Sequence, residues 1–226
     1  MKKWEDIPKE LQIEEVRKYY DALQRHKGEL LVKRIFDIIV SGILLVIVSP
    51  ILLVLSILIK LDSPGPIMFR QVRVTTYGKE FRIFKFRTMV NNADKMGSQV
   101  TTKDDVRVTK LGKILRGCRL DELPQLLNIL AGEMTFVGTR PEIPKYVGHY
   151  TNEMKATLLL PAGVTSRASI EYKDEECLLK HAEDADEVYV HQVLPEKMRY
   201  NLESIKNYSF FEDIKIMFAT VSAVIR

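Results

Sequence analysis

Metal-binding and redox side chains are scarce in this sequence. Its 226 residues include two cysteines, Cys118 and Cys177, and four histidines. The cysteines show no CxxC spacing and no neighbouring histidine, which excludes a zinc ribbon and a disulfide framework and fits a reducing compartment. His181 and His191 stand apart and read as structural or exposed. Neither sign of charge dominates: 34 Lys and Arg face 30 Asp and Glu, a net +4. That balance argues against disorder and against a nucleic-acid binder. Internal repeats and low-complexity tracts are absent. The length suits one domain with its own core and an appended segment.

Apolar residues, by contrast, are concentrated in one place. Ile35 to Ile59 reads IFDIIVSGILLVIVSPILLVLSILI, with Asp37 as its only charge. About 25 such residues, as a helix, reach across a hydrocarbon core of roughly 30 Å. About thirty polar and charged residues precede the run and no small-residue cleavage site follows, so it does not read as a signal peptide. Basic residues flank both ends, Arg25, Lys27, Lys33 and Arg34 before it and Lys60, Arg70 and Arg73 after. The positive-inside rule therefore gives no orientation. A hairpin bent at Ser49-Pro50, entering and leaving by one face, satisfies both flanks; a spanning helix with a tolerated proline is the alternative. Asp37, one turn from Lys33 and Arg34, reads as a helix-end ion pair at the interface.

The flanking regions have their own periods. From Pro8 to Arg25, Leu11, Val16, Tyr19, Tyr20 and Leu23 recur at near-helical spacing, which predicts an amphipathic helix that lies on anionic lipid or packs on the rest of the protein. LDSPGP, Leu61 to Pro66, marks a turn. Alternating apolar and basic residues from Phe69 to Phe86 then predict a small β-hairpin turning near Tyr77-Gly78. Its Arg70, Arg73, Lys79, Arg82, Lys85 and Arg87 form either a solvated basic edge or an anion site facing lipid phosphates or a phosphorylated substrate, and their place just beyond the membrane segment favours the anion site. Lys110 to Arg116 and Leu123 to Leu130 predict helices, the second ended by Gly132. Near the C-terminus, YVHQVLPEKMRYNLESI predicts a helix packed on the domain. EDIKIMFATVSAVI predicts one whose apolar end suits core, a dimer surface or membrane.

Asp121 and Glu122 lie between arginines and Pro124 in LRGCRLDELPQLLNIL. Asp is a favoured N-cap and Glu suits a first helical turn, so capping accounts for both. Arg116, Arg119 and Arg140 favour phosphate instead: an ionised Asp there can attack a phosphorus whose oxygens are neutralised by arginine and a divalent cation. Leu115 and Leu120 read as core, and Cys118 as a small buried residue.

Taken together, KRIFDIIVSGILLVIVSPILLVLSILIKLDSPGPIMFRQVR, GKEFRIFKFRTM, VTKLGKILRGCRLDELPQLLNILAGEMTFVGTRP and PAGVTS resemble the bacterial monotopic phosphoglycosyl transferases, the polyprenyl-phosphate sugar-phosphate transferase family. The resemblance runs from about Val32 to the C-terminus. With the amphipathic helix that periodicity places in residues 1–31, it implies a mixed α/β, mainly helical fold: a re-entrant membrane helix-break-helix hairpin in 32–60 bent at Ser49 and Pro50, and a compact catalytic domain with a small β-hairpin in 61–226. It implies that Asp121 attacks the β-phosphate of a UDP-sugar and releases UMP, and that undecaprenyl phosphate then takes the phosphosugar in a ping-pong exchange. Glu122, with Asp121, is implied to hold Mg²⁺. Arg116, Arg140, Lys85 and Arg87 are implied to hold phosphates. The implied location is the cytoplasmic face of the bacterial inner membrane, monotopic, in contact with membrane lipids, with a homodimer left open. A non-catalytic, membrane-anchored basic scaffold is the reading of another class. Thr75, Val106 and Thr139 depart from the family pattern, which has Gly, Pro and Pro there. RASIEYKDEE after PAGVTS departs further and leaves the sugar unread. Within it, Arg167, Glu171 and Lys173 are sugar contacts or, more simply, surface charges.

Overall fold

A computed structural model describes residues 1–93, 105–172 and 184–225. Two 3-10 turns lead into α1 (Glu14–Arg25) and α2 (Lys27–Asp62). Four short strands follow: β1 (Met68–Phe69), β2 (Val72–Val74), β3 (Glu80–Arg82) and β4 (Lys85–Phe86). α3 (Lys110–Gly117), a 3-10 segment Leu120–Gln125 and α4 (Leu126–Ala131) carry the LDELPQ stretch. Next come β5 (Met134–Val137), α5 (Pro144–Val147), β6 (Ala162–Thr165) and α6 (Arg167–Glu171). The chain continues through α7 (Ala185–Val188), a π turn Tyr189–Val193, α8 (Leu194–Lys206) and α9 (Phe210–Ile225). Lys173, Cys177 and His181 lie outside the described residues.

The N-terminal helix begins later than its apolar period predicts, because Ile13 is extended (φ −119°, ψ 157°) and divides the second 3-10 turn from α1. Of its two predicted environments, the protein itself is the one found. Val16, Tyr19, Tyr20 and Leu23 are buried in one cluster with Tyr146, Leu159, Leu194 and Met198. At the rim, Lys18 pairs with Glu153 at 2.6 Å and the Lys2 backbone N–H donates to the Tyr77 hydroxyl at 2.9 Å.

α2 is one continuous 36-residue helix that contains Pro50, so the expected break between two helices at Ser49-Pro50 is not seen in it; its path is about 54 Å at 1.5 Å per residue. Proline has no N–H for the carbonyl four residues back. The Ser49 hydroxyl donates to that carbonyl, Val46 O, at 2.8 Å, so the helix passes Pro50 without an orphaned acceptor. Among the described residues, α2 is the helix long and apolar enough to cross a membrane, and most of its apolar window is exposed.

The contacts of α2 with the rest of the molecule run along its whole length. Lys33 pairs with Asp213 of α9 and donates to Val137 O at 2.7 Å. Arg34 donates to Ile129 O and Leu130 O at 2.6 and 3.1 Å, closing the end of α4. Asp37 departs from its predicted interfacial ion pair: it is buried and accepts from Thr135 Oγ1 at 2.7 Å, because Lys33 and Arg34 are drawn to the domain's own acceptors. Leu44, Leu45 and Val48 pack on Phe81, Ile83 and Ile129, and Leu55 and Ile59 pack with Phe86 and Leu115.

The predicted hairpin is present as two antiparallel pairs, β2 with β3 (Val72 opposite Arg82) and β1 with β4. It turns through left-handed Tyr77 and Gly78. A parallel pair, β5 with β6, has no counterpart in the sequence reading. At its end, a Cβ on Gly163 would lie 2.2 Å from the Gly138 backbone nitrogen, so only glycine fits. Thr75, in place of the family's Gly, has an ordinary extended backbone. Its hydroxyl donates to Glu133 O at 2.6 Å and accepts from Ala162 N at 3.1 Å, tying the hairpin to β6. Exposed Val106 and the Thr139 carbonyl, which accepts from Gly163 N at 2.8 Å, occupy the other departures.

Candidate active site

The site is built where α3 stops. Thr109 caps α3 by accepting from Gly112 N at 3.0 Å. Gly112 lets the helix lie on the Thr88 backbone, where a Cβ would be 2.1 Å from the carbonyl oxygen. Arg119 then takes a left-handed conformation (φ 55°) and sends the chain into the 3-10 turn that holds Asp121 and Glu122. Such backbone in a non-glycine residue costs about 1–3 kcal/mol and is common at functional sites. Cys118, read as buried, is exposed at this corner because the turn swings it outward. Leu115 is core, as expected.

Asp121 and Glu122 differ in what surrounds them. Asp121 is buried, 1% exposed, and Lys85 Nζ lies 2.8 Å from its Oδ2. That ion pair lacks hydrogen-bond geometry, and neither carboxylate oxygen accepts a hydrogen bond from the protein. Glu122 receives Arg140 Nη2 at 2.6 Å and Lys85 Nζ at 3.3 Å, with Arg119 Nη1 at 3.9 Å. Burial pushes the Glu122 carboxyl up, but Arg140 and Lys85 outweigh it and hold the group well below the usual carboxylate range. Neither acid caps the turn, whose N-cap Arg119 makes no side-chain cap bond. Capping therefore does not explain the pair.

The predicted phosphate ligands separate into two groups. Lys85, Arg116 and Arg140 line one cavity with both acids, a space of about 1490 Å³ that reaches Leu44 and Val48 of α2. Arg116 Nε donates to Thr88 Oγ1 at 3.1 Å. Arg87 borders the cavity too, but it is buried and its terminal nitrogens donate to Ser63 O, Pro64 O and Ile59 O at 2.6, 3.0 and 3.2 Å. Those carbonyls end α2, so Arg87 clamps the helix to the hairpin. Arg167 pairs with Glu203 at 3.4 Å, both half exposed, the surface role predicted as simpler.

Sequence reasoning missed Gln125, whose buried Nε2 lines the cavity without a partner. Its place one turn after Asp121 was the available signal. Arg73, read with its neighbours as either a basic edge or an anion site, lines the cavity and donates to Pro141 O at 3.0 Å.

The donor set suits a hard cation held partly by substrate. Among the described residues no group of three or more His, Cys, Asp or Glu side chains gathers. Mg²⁺ commonly uses one or two carboxylates with phosphate oxygens and waters. Asp121, whose oxygens accept no hydrogen bond, fits that demand; Lys85 lies beside both acids, and Glu122 is also engaged by Arg140.

Comparison with known proteins gives the same direction. The sequence model described as "Bacterial sugar transferase" matches residues 28–226. The chain is 35% identical, over 86% of its length, to the UDP-N-acetylgalactosamine-undecaprenyl-phosphate N-acetylgalactosaminephosphotransferase of Aeromonas hydrophila, of which it covers 44%. It is 38% identical, over 85% of its length, to the UDP-glucose:undecaprenyl-phosphate glucose-1-phosphate transferase of Klebsiella pneumoniae, of which it covers 40%. It thus spans less than half of these two relatives. It is also 33% identical to the uncharacterized sugar transferase EpsL of Bacillus subtilis over 87% of this chain and 88% of that one. Carrying these matches along nearly its whole length, the chain belongs to the bacterial sugar transferase family.

Proposed function

We propose that the protein moves a sugar 1-phosphate from a UDP-sugar to undecaprenyl phosphate through a covalent intermediate on Asp121. The observation that carries this is a buried carboxylate with no hydrogen bond on either oxygen, beside Lys85 in a cavity shared with Arg116 and Arg140. A carboxylate paired with an ammonium but committed to no hydrogen bond can turn to phosphorus when substrate phosphate takes up that ammonium. The named relatives support the donor and acceptor classes.

In the first step an Asp121 oxygen bonds to the β-phosphorus, the bond from that phosphorus to the bridging oxygen breaks, and UMP leaves. In the second, a phosphate oxygen of the polyprenyl acceptor bonds to the same phosphorus and Asp121 is released as carboxylate. Lys85, Arg116 and Arg140 hold the phosphate oxygens in line, and arginine's planar fork suits that work. Glu122 keeps Arg140 and Lys85 in place. Bound Mg²⁺, held by Asp121 with Glu122 beside it, would neutralise diphosphate charge.

The membrane placement follows from what α2 separates. Residues before it, Val16, Tyr19 and Leu23, share a core with Tyr146, Leu194 and Met198 after it. A bilayer lying between those segments would cut that core, which supports a re-entrant insertion centred on Ser49-Pro50 with both flanks on one face. With both flanks on one face the enzyme is monotopic, and its proposed donor, a cytoplasmic UDP-sugar, supports the cytoplasmic side of the bacterial inner membrane.

The test is UMP release by the purified protein given UDP-sugars, Mg²⁺ and undecaprenyl phosphate. Asp121→Asn should lower it by at least about 10³-fold; an unaffected rate removes Asp121 as nucleophile. Release of UDP instead would mean transfer of the whole sugar.

A further inference from the structure

Part of the cavity wall has a composition that phosphate chemistry does not explain. It is formed by Arg73, Glu142, Tyr189 and Lys197, with Ser169 and Tyr172 beside them. Glu142, Tyr189 and Lys197 are buried. They are joined in a chain: the Tyr189 hydroxyl donates to Glu142 Oε1, Lys197 Nζ donates to that hydroxyl at 3.4 Å, and Arg73 Nη1 approaches Glu142 Oε2 at 4.0 Å. The Arg73 Nε–H is buried without an acceptor. Burial pulls the Arg73 guanidinium below its usual range, against the support of Glu142, and Arg140 and Glu122 act on it too. This wall and the acid pair are therefore electrostatic neighbours.

The two regions differ in kind. Around Asp121 and Glu122 the partners are cations, as a diphosphate requires. Along this wall a carboxylate, two cations, two phenols and a hydroxyl alternate. Alternating donors and acceptors with aromatic surface match a neutral ring bearing hydroxyls, each of which both donates and accepts. Burying opposite charges is costly where packed apolar side chains would serve, and such groups at a cleft wall point to ligand binding.

We infer that Arg73, Glu142, Tyr189 and Lys197, with Tyr172 at the rim, form the subsite that selects the sugar of the donor. Glu142 accepts from sugar hydroxyls, and Arg73 Nε–H and Lys197 donate to them. This assignment rests on the transferase reading, and moves specificity away from Arg167, which does not border this cavity.

The test compares UMP release from UDP-glucose, UDP-galactose and their N-acetylhexosamine counterparts, with calorimetric binding of UMP alone as the control that lacks a sugar. In Lys197→Met and Glu142→Gln the kcat/KM ratio between the best donor and its C4 epimer should change by about 10-fold or more. UMP affinity should stay within about 2-fold, as expected when no phosphate contact is lost. Tyr172→Phe leaves the buried chain intact and should move the ratio in the same direction by about 3-fold. An unchanged ratio in Tyr172→Phe and in every variant that still binds UMP overturns the subsite. So does a parallel loss of rate for all donors together with UMP affinity. Failure of the wild type to release UMP from any donor overturns the transferase reading, and the subsite with it.

Discussion

Two adjacent acids have been given different work by their surroundings. Glu122 is engaged by Arg140 and Lys85, while Asp121 is ion-paired with Lys85 at 2.8 Å and accepts no hydrogen bond. Because the Glu122 carboxyl is held low, the folded state binds fewer protons there than the unfolded chain. Its stabilising contribution is complete above the ordinary glutamate value of about 4.5 and is lost as pH falls below it. Urea midpoints measured across acidic pH should therefore fall more steeply for the wild type than for Glu122→Gln. Arg87 is the other decisive residue. Ala at that position removes the side-chain donor of the Ser63 and Pro64 carbonyls and leaves Ile59 O only the Ser63 N–H, and should cost about 2 kcal/mol or more in stability. If Arg87 chiefly bound phosphate, its loss would raise KM at unchanged stability. The acids were legible in sequence because LDELPQL is dense and local. The role of Arg87 was not, since its acceptors lie more than twenty residues away along the chain.

At the scale of elements, close backbone contacts set the geometry. Gly163→Ala places a methyl group against Gly138 in the β5–β6 pair. It should destabilise the protein by about 1–3 kcal/mol by denaturant melt, with activity falling as Arg140 moves from Glu122. In α2, Ser49→Ala removes the donor that satisfies Val46 O beside Pro50. A reduced yield of folded protein in detergent, with near wild-type activity per folded molecule, is the expected outcome; restoration by Ser49→Thr checks that the hydroxyl is responsible. Periodicity located α1, α2, the hairpin, α3 and α8 in the sequence. It missed the parallel pair because β5 and β6 are four residues each and meet only through a long intervening segment, for which no local pattern exists. It also placed the start of α1 early, since apolar spacing does not register the extended Ile13.

For the molecule as a whole, α2 is both a membrane-length helix and a strut of the folded body. Cysteines introduced near residue 3 and in the loop after Lys60 should share one labelling pattern from outside intact cells. Labelling of a single flank would mean that α2 spans, and would contradict the common core on which the re-entrant placement rests. The apolar segment, the acids and the family were readable from residue order alone, because these depend on composition and local order. It took the folded chain to show that α1 packs on the domain, that Asp37 accepts from Thr135, and that Arg87 clamps while Arg73 lines the cavity. The reason is physical: a charged side chain's partner is chosen by which backbone and acids the fold brings near, and here those come from distant parts of the chain.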